Sequence, residues 1–156
     1  HCDSLGIYSH FQQASVGMSN AATDRTTYLR GYQLSDSNGL VQFETIYPGW
    51  YNGRVTHIHI KVHIGGYSHG HTAHTGQLYF NDTITDRIAV LSPYNKNKGK
   101  RIKLTEDYFY DPVKGHYSLL SLQYTKPDVE LCGLTASITV GVKVKTVSIT
   151  MYLINQ

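Results

Sequence analysis

The sequence predicts a mostly β fold: a β-sandwich of mixed and antiparallel sheets with one short helix. Two observations support this prediction. Tyrosine, which is common in strands, occurs 13 times in 156 residues. Apolar residues also alternate with polar ones over several short stretches, as they do in half-buried strands. A chain of this length is about one domain.

A first strand is predicted directly after a tight turn. The turn signal DSNG (residues 36–39) is followed by alternation over Val41–Glu44, the pattern of a half-buried strand. Pro48 and Gly49 end this strand, because proline lacks a backbone donor and glycine opens a turn.

A second strand is predicted within YNGRVTHIHIKVH (residues 51–63). Side chains two residues apart share one face of an extended chain. The apolar face, with Ile58, Ile60 and Val62, is expected to line the core. The opposite face turns towards a cavity, another layer or solvent, and it carries His57, His59, Lys61 and His63.

Shorter patterns predict the elements that follow. Residues 65–71 are expected to form a loop, and Gly76–Phe80 a strand. Thr83–Asp86 resembles a capping box, which predicts one short helix through about Leu91. Residues 93–115 are polar and irregular.

The tail from Leu131 onward has the strand pattern again. Its apolar residues keep one phase from Ile138 to Val144 and the other phase from Val147 to Leu153. One continuous strand would move its buried face at that point, so the change indicates a bulge or a turn into another strand.

Composition and charge narrow the classes of function. The net charge of +3 is mild, and the lysine-rich segment at residues 96–103 lacks interleaved aromatic residues. This favours a solvated loop over a nucleic-acid surface. No window approaches roughly 18 consecutive apolar residues, so no membrane span is expected. The nine histidines are many for a chain this short and direct attention to metal binding.

Cysteine usage is sparse, with Cys2 and Cys132 alone. A disulfide between them would stabilise the fold by up to ~5 kcal/mol through chain entropy, and the sequence leaves the pairing open. Asn81-Asp82-Thr83 is a glycosylation acceptor pattern, which is consistent with secretion. No signal peptide is present, so the chain is expected to be either a mature form or cytosolic. It opens at His1 without a start methionine, which indicates processing or an incomplete sequence.

The His57-x-His59 pair is compatible with three metal chemistries. Zinc would need a further histidine, copper could use the amino-terminal His1, and non-haem iron would add oxygen ligands. Alternatively, the pair faces solvent or bonds to a neighbouring strand. Candidate third histidines for zinc are His63, His69, His71 and His74.

Two tyrosines near this pair favour iron among the three metals. Tyr51 precedes His57 by six residues, and Tyr8 follows the turn sequence DSLG at residues 3–6. Phenolate is a hard, anionic ligand that suits Fe(III) and stabilises it over Fe(II).

Three segments together resemble the intradiol ring-cleavage dioxygenases, in particular the secreted forms of fungi and some arthropods. They are HCDSLGIYSHF, YLRGYQLSDSNGLVQFETIYPGWYNGRVTHIHIKVH and HTGQLYF, and the resemblance runs through about Val142. The ordered pattern Asp-x-x-Gly, Pro-Gly-x-Tyr and Arg-x-x-His-x-His makes the resemblance specific.

The resemblance implies an extracellular Fe(III) enzyme that cleaves catechol-type rings with O2 to muconate-type diacids. Tyr51 would leave the metal when substrate binds, and Arg54 would stabilise negative charge on the ring. Gln77 would lie near the substrate. By position, the four implied Fe(III) ligands are Tyr8, Tyr51, His57 and His59.

The chain also departs from the family pattern at both ends. Residues 1–142 match a dioxygenase core without its usual N-terminal part. Either the upstream residues are omitted from this sequence, or the sheet containing Tyr8 has an unpaired edge. Residues 143–156 add a strand, which could fill an open edge in its own molecule or in a neighbour and so build an oligomer or filament. The alternative function is therefore a non-catalytic extracellular structural protein on the same fold.

Overall fold

The computed structural model describes residues 1–11, 25–126, 133–143 and 147–154, the last as backbone alone. Cys132 lies outside the described residues, so the predicted alternatives for its pairing with Cys2 lie outside them too. The chain forms two compact units by its internal contacts, and the predicted boundary at residue 142 stays a prediction. The first unit contains His1–Arg30, Ile46–Ile58 and Tyr79–Leu119, and the second contains Gly31–Thr45, His59–Leu78 and Leu120–Gln156.

The described residues form mostly strands, with one α-helix, as predicted. The strands are β1 (Leu40–Glu44), β2 (His57–Ile64), β3 (His71–Tyr79), β4 (Ser121–Tyr124), β5 (Leu134–Val142) and β6 (Val147–Ile154), and the helix is α1 (Asp82–Ala89). Three short 3-10 helices, Tyr94–Lys96, Leu104–Glu106 and Gly115–Ser118, interrupt the segment that was predicted to be irregular. No helix within the described ranges is both long and apolar enough to cross a bilayer.

The second unit contains a mixed four-stranded sheet in the order β1-β6-β5-β4. Strand β6 runs parallel to β1 and antiparallel to β5, and β4 is antiparallel to β5. Along β5, Leu134, Ala136 and Val142 are buried, which is the two-residue period of a strand with one face in a core.

The change of apolar phase in the tail falls between two strands, β5 ending at Val142 and β6 beginning at Val147. Strands β5 and β6 pair antiparallel, with Val142 opposite Val147. Because β6 lies between β1 and β5, its hydrogen-bonding edges face strands of its own chain. The added strand therefore pairs within its own molecule, which was one of the two predicted alternatives. Assembly into an oligomer or filament stays a prediction.

Strands β2 and β3 form a two-stranded sheet. The predicted alternation of β2 is confirmed over most of its length, since Ile58 and Val62 are buried while His59 and Lys61 are exposed. Strand β3 begins at His71, five residues before the predicted start at Gly76. The prediction missed these residues because their side chains are polar or small and show no alternation.

Helix α1 begins two residues earlier than the predicted capping box implies. Its N-cap is Asn81, whose side-chain oxygen accepts a hydrogen bond from the Thr83 backbone amide at 2.8 Å. The predicted capping box starting at Thr83 was wrong, because an asparagine two residues upstream makes the capping bond instead. The buried residues Thr85 and Ile88 anchor the helix in the first unit.

Candidate metal centre

Tyr8 is positioned by the turn at residues 3–6. The Asp3 carboxylate accepts the backbone amides of Leu5 and Ile7, both at 2.9 Å, and the Gly6 amide bonds to the Asp3 carbonyl. Gly6 has φ +83, and a Cβ there would overlap the Trp50 carbonyl oxygen. Only glycine therefore allows the turn to pack backbone against backbone beside Trp50.

Among the described residues, Tyr8 lies outside the six strands and forms an isolated antiparallel bridge with Phe11. The expectation that Tyr8 lies in a sheet stays a prediction, since the chain that follows Phe11 lies outside the described residues. Arg30 holds the adjacent buried Ser9, donating from Nε to Oγ at 2.8 Å and from Nη2 to the carbonyl at 3.1 Å.

Tyr51 and Arg54 are brought together by a turn of their own. The Arg54 amide donates to the Tyr51 carbonyl at 3.2 Å, and Gly53 between them has φ +76. This turn folds the Arg54 side chain back, so that Nη1 donates to the Tyr51 hydroxyl at 3.1 Å. The three-residue spacing seen in the sequence thus becomes a direct contact.

His57 presents one ring nitrogen to both tyrosines. Its side chain is buried, and Nδ1 lies 2.6 Å from the Val55 carbonyl oxygen. Because a carbonyl accepts but cannot donate, Nδ1 carries the proton in the neutral ring. Nε2 then carries a lone pair that can accept, and it lies 3.5 Å from the hydroxyl oxygen of Tyr8 and 3.5 Å from that of Tyr51.

The electrostatic surroundings keep both phenols protonated in the absence of a cation. Burial raises the pKa of the Tyr8 hydroxyl, and it also raises the pKa of the Tyr51 hydroxyl. At Tyr51 the charge and the hydrogen bond of Arg54 oppose this rise. A buried metal cation would favour the phenolate form of both, since opposite charge stabilises the ionised group.

Three donors therefore meet at one place: two phenol oxygens and one imidazole nitrogen. Ligands bound at roughly 2 Å to one ion lie at most about 4 Å apart, so the two 3.5 Å separations are compatible with a shared metal. The hydrogen bond from Nδ1 to a backbone carbonyl is the usual support of a metal-binding histidine. Two phenolates with imidazole fit Fe(III), the predicted cofactor.

The described residues contain no group of three His, Cys, Asp or Glu side chains that could hold a metal. The zinc alternative, which needed a third histidine, thus lacks such a group in that part of the chain. The phenol oxygens of Tyr8 and Tyr51 distinguish the candidate centre from a zinc site built from histidines.

Two residues beside the centre were missed by sequence reasoning. Asp107 is buried and accepts hydrogen bonds from Arg54, and the Tyr79 hydroxyl donates to the Phe109 carbonyl at 3.2 Å. Tyr79 lies two residues after Gln77 in the HTGQLYF segment, and this spacing could have indicated that it shares a strand face with a predicted site residue. Asp107 had none, because it stands 53 positions from its partner in a segment without a pattern.

Solved structures of known proteins share this fold. An intradiol ring-cleavage dioxygenase from Tetranychus urticae matches with a TM-score of 0.67 and 26% identity, over 99% of this chain and 66% of the other. Another solved structure, a crystal structure of a dioxygenase, matches with the same values. The predicted resemblance to the intradiol ring-cleavage dioxygenases is confirmed. No family model matches the sequence, and no curated protein matches it either.

The chain spans just under two thirds of the length of these intradiol dioxygenase structures. Two further residues, His59 and Gln77, were assigned to the site by the resemblance. His59 is exposed on β2, two residues after His57, and Gln77 is half-buried on β3. Both fall in the second compact unit, and their assigned roles stay predictions. The other histidines of this region are His63 on β2, His69 in the turn, and His71 and His74 on β3.

Proposed function

We infer that this chain is a non-haem Fe(III) intradiol dioxygenase, which cleaves catechol-type rings with O2 to muconate-type diacids. The observation that carries the proposal is the convergence of the Tyr8 and Tyr51 hydroxyls on Nε2 of His57, each at 3.5 Å. The likeness of the chain's fold to an intradiol ring-cleavage dioxygenase also supports this class of reaction. His59 would complete the set of four protein ligands.

When bound, Fe(III) would hold the two catechol oxygens, lower their proton affinity and make the ring open to attack by O2. The residues of the chain supply the remaining functions. The phenolate oxygen of Tyr51 would accept one catechol proton as a general base, and solvent hydroxide would accept the other. Tyr8 stays in place as the second phenolate, and His57 contributes a neutral nitrogen whose orientation the Val55 carbonyl determines.

Arg54 supplies permanent positive charge next to the reacting ring. Its Nη1 lies 3.1 Å from Tyr51 Oη, the atom that takes up the proton. A guanidinium remains charged at every relevant pH, so it stabilises negative charge as that charge develops on the substrate. Gln77 is proposed to contact the substrate from β3.

The decisive experiment is the loading of the purified chain with Fe(III). We expect about one iron per chain, a visible tyrosinate-to-iron charge-transfer band, a shift of that band on addition of catechol, and formation of a muconate product. The same chain loaded with Zn(II) is the control, since zinc has no redox-active charge-transfer band. A colourless ferric preparation that leaves catechol intact would refute the proposal.

A further inference from the structure

A buried carboxylate outside the predicted ligand set contacts two parts of the candidate centre at once. The Asp107 side chain has no exposed surface and forms an ion pair with Arg54, with 3.0 Å between Nε and Oδ2. The same Oδ2 accepts the backbone amide of Val55 at 2.7 Å. Oδ1 accepts Arg54 Nε at 3.2 Å and the Phe109 amide at 2.8 Å.

The first connection leads to the guanidinium. Asp107 holds Nε of Arg54, while Nη1 of the same group reaches the Tyr51 hydroxyl at 3.1 Å. The Phe109 ring lies 4.4 Å from the guanidinium carbon and covers one side of it. The arginine head is thus held at Nε, at Nη1 and over its face, which leaves it little rotational freedom.

The second connection leads to the histidine. The Val55 peptide donates its N–H to Asp107, and the carbonyl of the same residue accepts Nδ1–H of His57 at 2.6 Å. Val55 itself is buried. Asp107 therefore holds the residue whose carbonyl determines the tautomer and orientation of the His57 ring.

We propose that Asp107 is a positioning residue that sets the Arg54 guanidinium and the His57 ring together. The inference deepens the proposed function and rests on it, because both groups serve the ring-cleavage reaction. A single carboxylate then couples the charge that stabilises the substrate to the nitrogen that faces the two phenols. Neither group can shift without disturbing a hydrogen bond to Asp107 or Val55.

The amide analogue tests this directly, because asparagine cannot replace the carboxylate in either orientation. Each Asp107 oxygen faces Arg54 Nε and one further backbone N–H, from Val55 or Phe109. The NH2 group of asparagine would face two donors whichever way the amide turned. The matched control is Asp111→Asn. Asp111 is an exposed carboxylate of the same segment, and it accepts the Val113 and Lys114 amides through one oxygen, which asparagine retains.

The first measurement uses nuclear magnetic resonance on the full chain treated with a chelator. In Asp107→Asn we expect the Arg54 Nε–H and the Val55 amide to exchange with solvent roughly 10- to 100-fold faster. We also expect the Nε2–H tautomer of His57 to appear beside the Nδ1–H form. Unchanged exchange and an unchanged tautomer would overturn the proposal. If Asp107→Asn does not fold, the same exchange rates are measured in the unaltered chain. Exchange of the Arg54 Nε–H and the Val55 amide as fast as in an unfolded peptide would then overturn the proposal.

The second measurement uses the iron-loaded chain. Per bound iron, Asp107→Asn should lower kcat for catechol about 100-fold, because a displaced charge no longer meets the reacting ring. KM should change little, and Asp111→Asn should leave both values unchanged. A purely structural role would reduce the folded fraction but leave kcat per bound iron unchanged, which would count against the proposal. If the unaltered chain binds no iron, the proposed function fails, while the metal-free measurement still judges Asp107.

Discussion

At the scale of single residues, the hydroxyl of Tyr51 contacts two other groups of the candidate centre. It accepts a hydrogen bond from Nη1 of Arg54 and lies 3.5 Å from Nε2 of His57. The positive charge of Arg54 is the largest of the effects that oppose the rise of the Tyr51 pKa caused by burial. The position of this hydroxyl suits an oxygen that alternates between metal ligand and proton acceptor.

Tyr51→Phe is expected to abolish most turnover while preserving the fold. The change removes one oxygen and leaves the ring, so packing is retained and the loss of the hydrogen bond to Arg54 costs about 1–2 kcal/mol. We expect kcat for catechol to fall at least ~100-fold, as for loss of a general base, together with a weaker charge-transfer band. Stopped-flow absorbance and a thermal melt measure both effects.

The control for this change is Tyr108→Phe, which removes a hydroxyl from a side chain that is 91% exposed. It should leave turnover, colour and melting temperature as they are. Full activity in Tyr51→Phe would show that the hydroxyl takes no part in the chemistry.

At this scale, the structure brings together side chains that are close along the chain. The turn through Gly53 converts the short spacing of Tyr51, Arg54 and His57 into contacts. Asp107 was not predicted, because its hydrogen bonds to Arg54 and Val55 span more than 50 residues. A buried carboxylate of this kind has no local pattern, since its surroundings are created by folding.

At the scale of elements, the turn at residues 3–6 depends on close backbone packing. Gly6 has positive φ and no space for a Cβ beside the Trp50 carbonyl. On the opposite segment, a Cβ at Gly49 would collide with the carbonyl oxygens of Asp3 and Ser4. The two glycines of the Asp-x-x-Gly and Pro-Gly-x-Tyr motifs thus allow the segments that carry Tyr8 and Tyr51 to meet.

Gly6→Ala is therefore expected to destabilise the protein and to displace Tyr8. The positive φ alone costs about 1–2 kcal/mol for a residue with a Cβ, and the collision with backbone adds to it. Urea denaturation measures the loss of stability, and the charge-transfer band of the ferric chain reports whether Tyr8 remains in place.

Gly66→Ala separates strain from collision. Gly66 also has positive φ, at +90, yet an added Cβ would have nothing within 4 Å. This variant should show the backbone cost alone and keep its colour. Equal losses of stability in the two variants would show that the contact with Trp50 is unimportant.

The pattern of each element decided how well it was predicted. Strand β1 followed from its turn signal and alternation, and Val41 is buried as that pattern requires. The start of β3 and the cap of α1 were missed, because exposed polar strand residues lack periodicity and because Asn81 and Thr83, two residues apart, both offered capping side chains. The ends of such elements depend on the segments they pair with, and those segments can lie far away along the chain.

At the scale of the whole molecule, stability should depend on alkaline pH through buried phenols. Burial raises the pKa of Tyr94 to about 12, and its hydroxyl donates to the Tyr47 carbonyl at 2.7 Å. The folded chain therefore holds this proton more tightly than the unfolded chain, whose tyrosine has a pKa of about 10. This contribution is fully present below pH 10 and is lost as the pH rises from about 10 towards 12.

Tyr94→Phe should make the decline of unfolding free energy above pH 10 less steep, because one of the phenols whose pKa is raised no longer titrates. At neutral pH it should cost about 1 kcal/mol for the lost hydrogen bond. Urea titrations between pH 8 and pH 12 measure both effects, with Tyr117→Phe, at an exposed tyrosine, as the control. An equally steep decline in Tyr94→Phe would contradict the assignment.

The sequence by itself determined the class of fold and the types of the candidate ligands. Alternation reports which strand faces are buried, and spacing reports which side chains a turn or strand brings side by side, because both are properties of the local backbone. The tertiary structure decided what depends on distant segments: the meeting of Tyr8 with Tyr51 and His57, and the hydrogen bonds of Asp107. It also decided the position of β6 between β1 and β5. These contacts arise from packing, which no local pattern specifies.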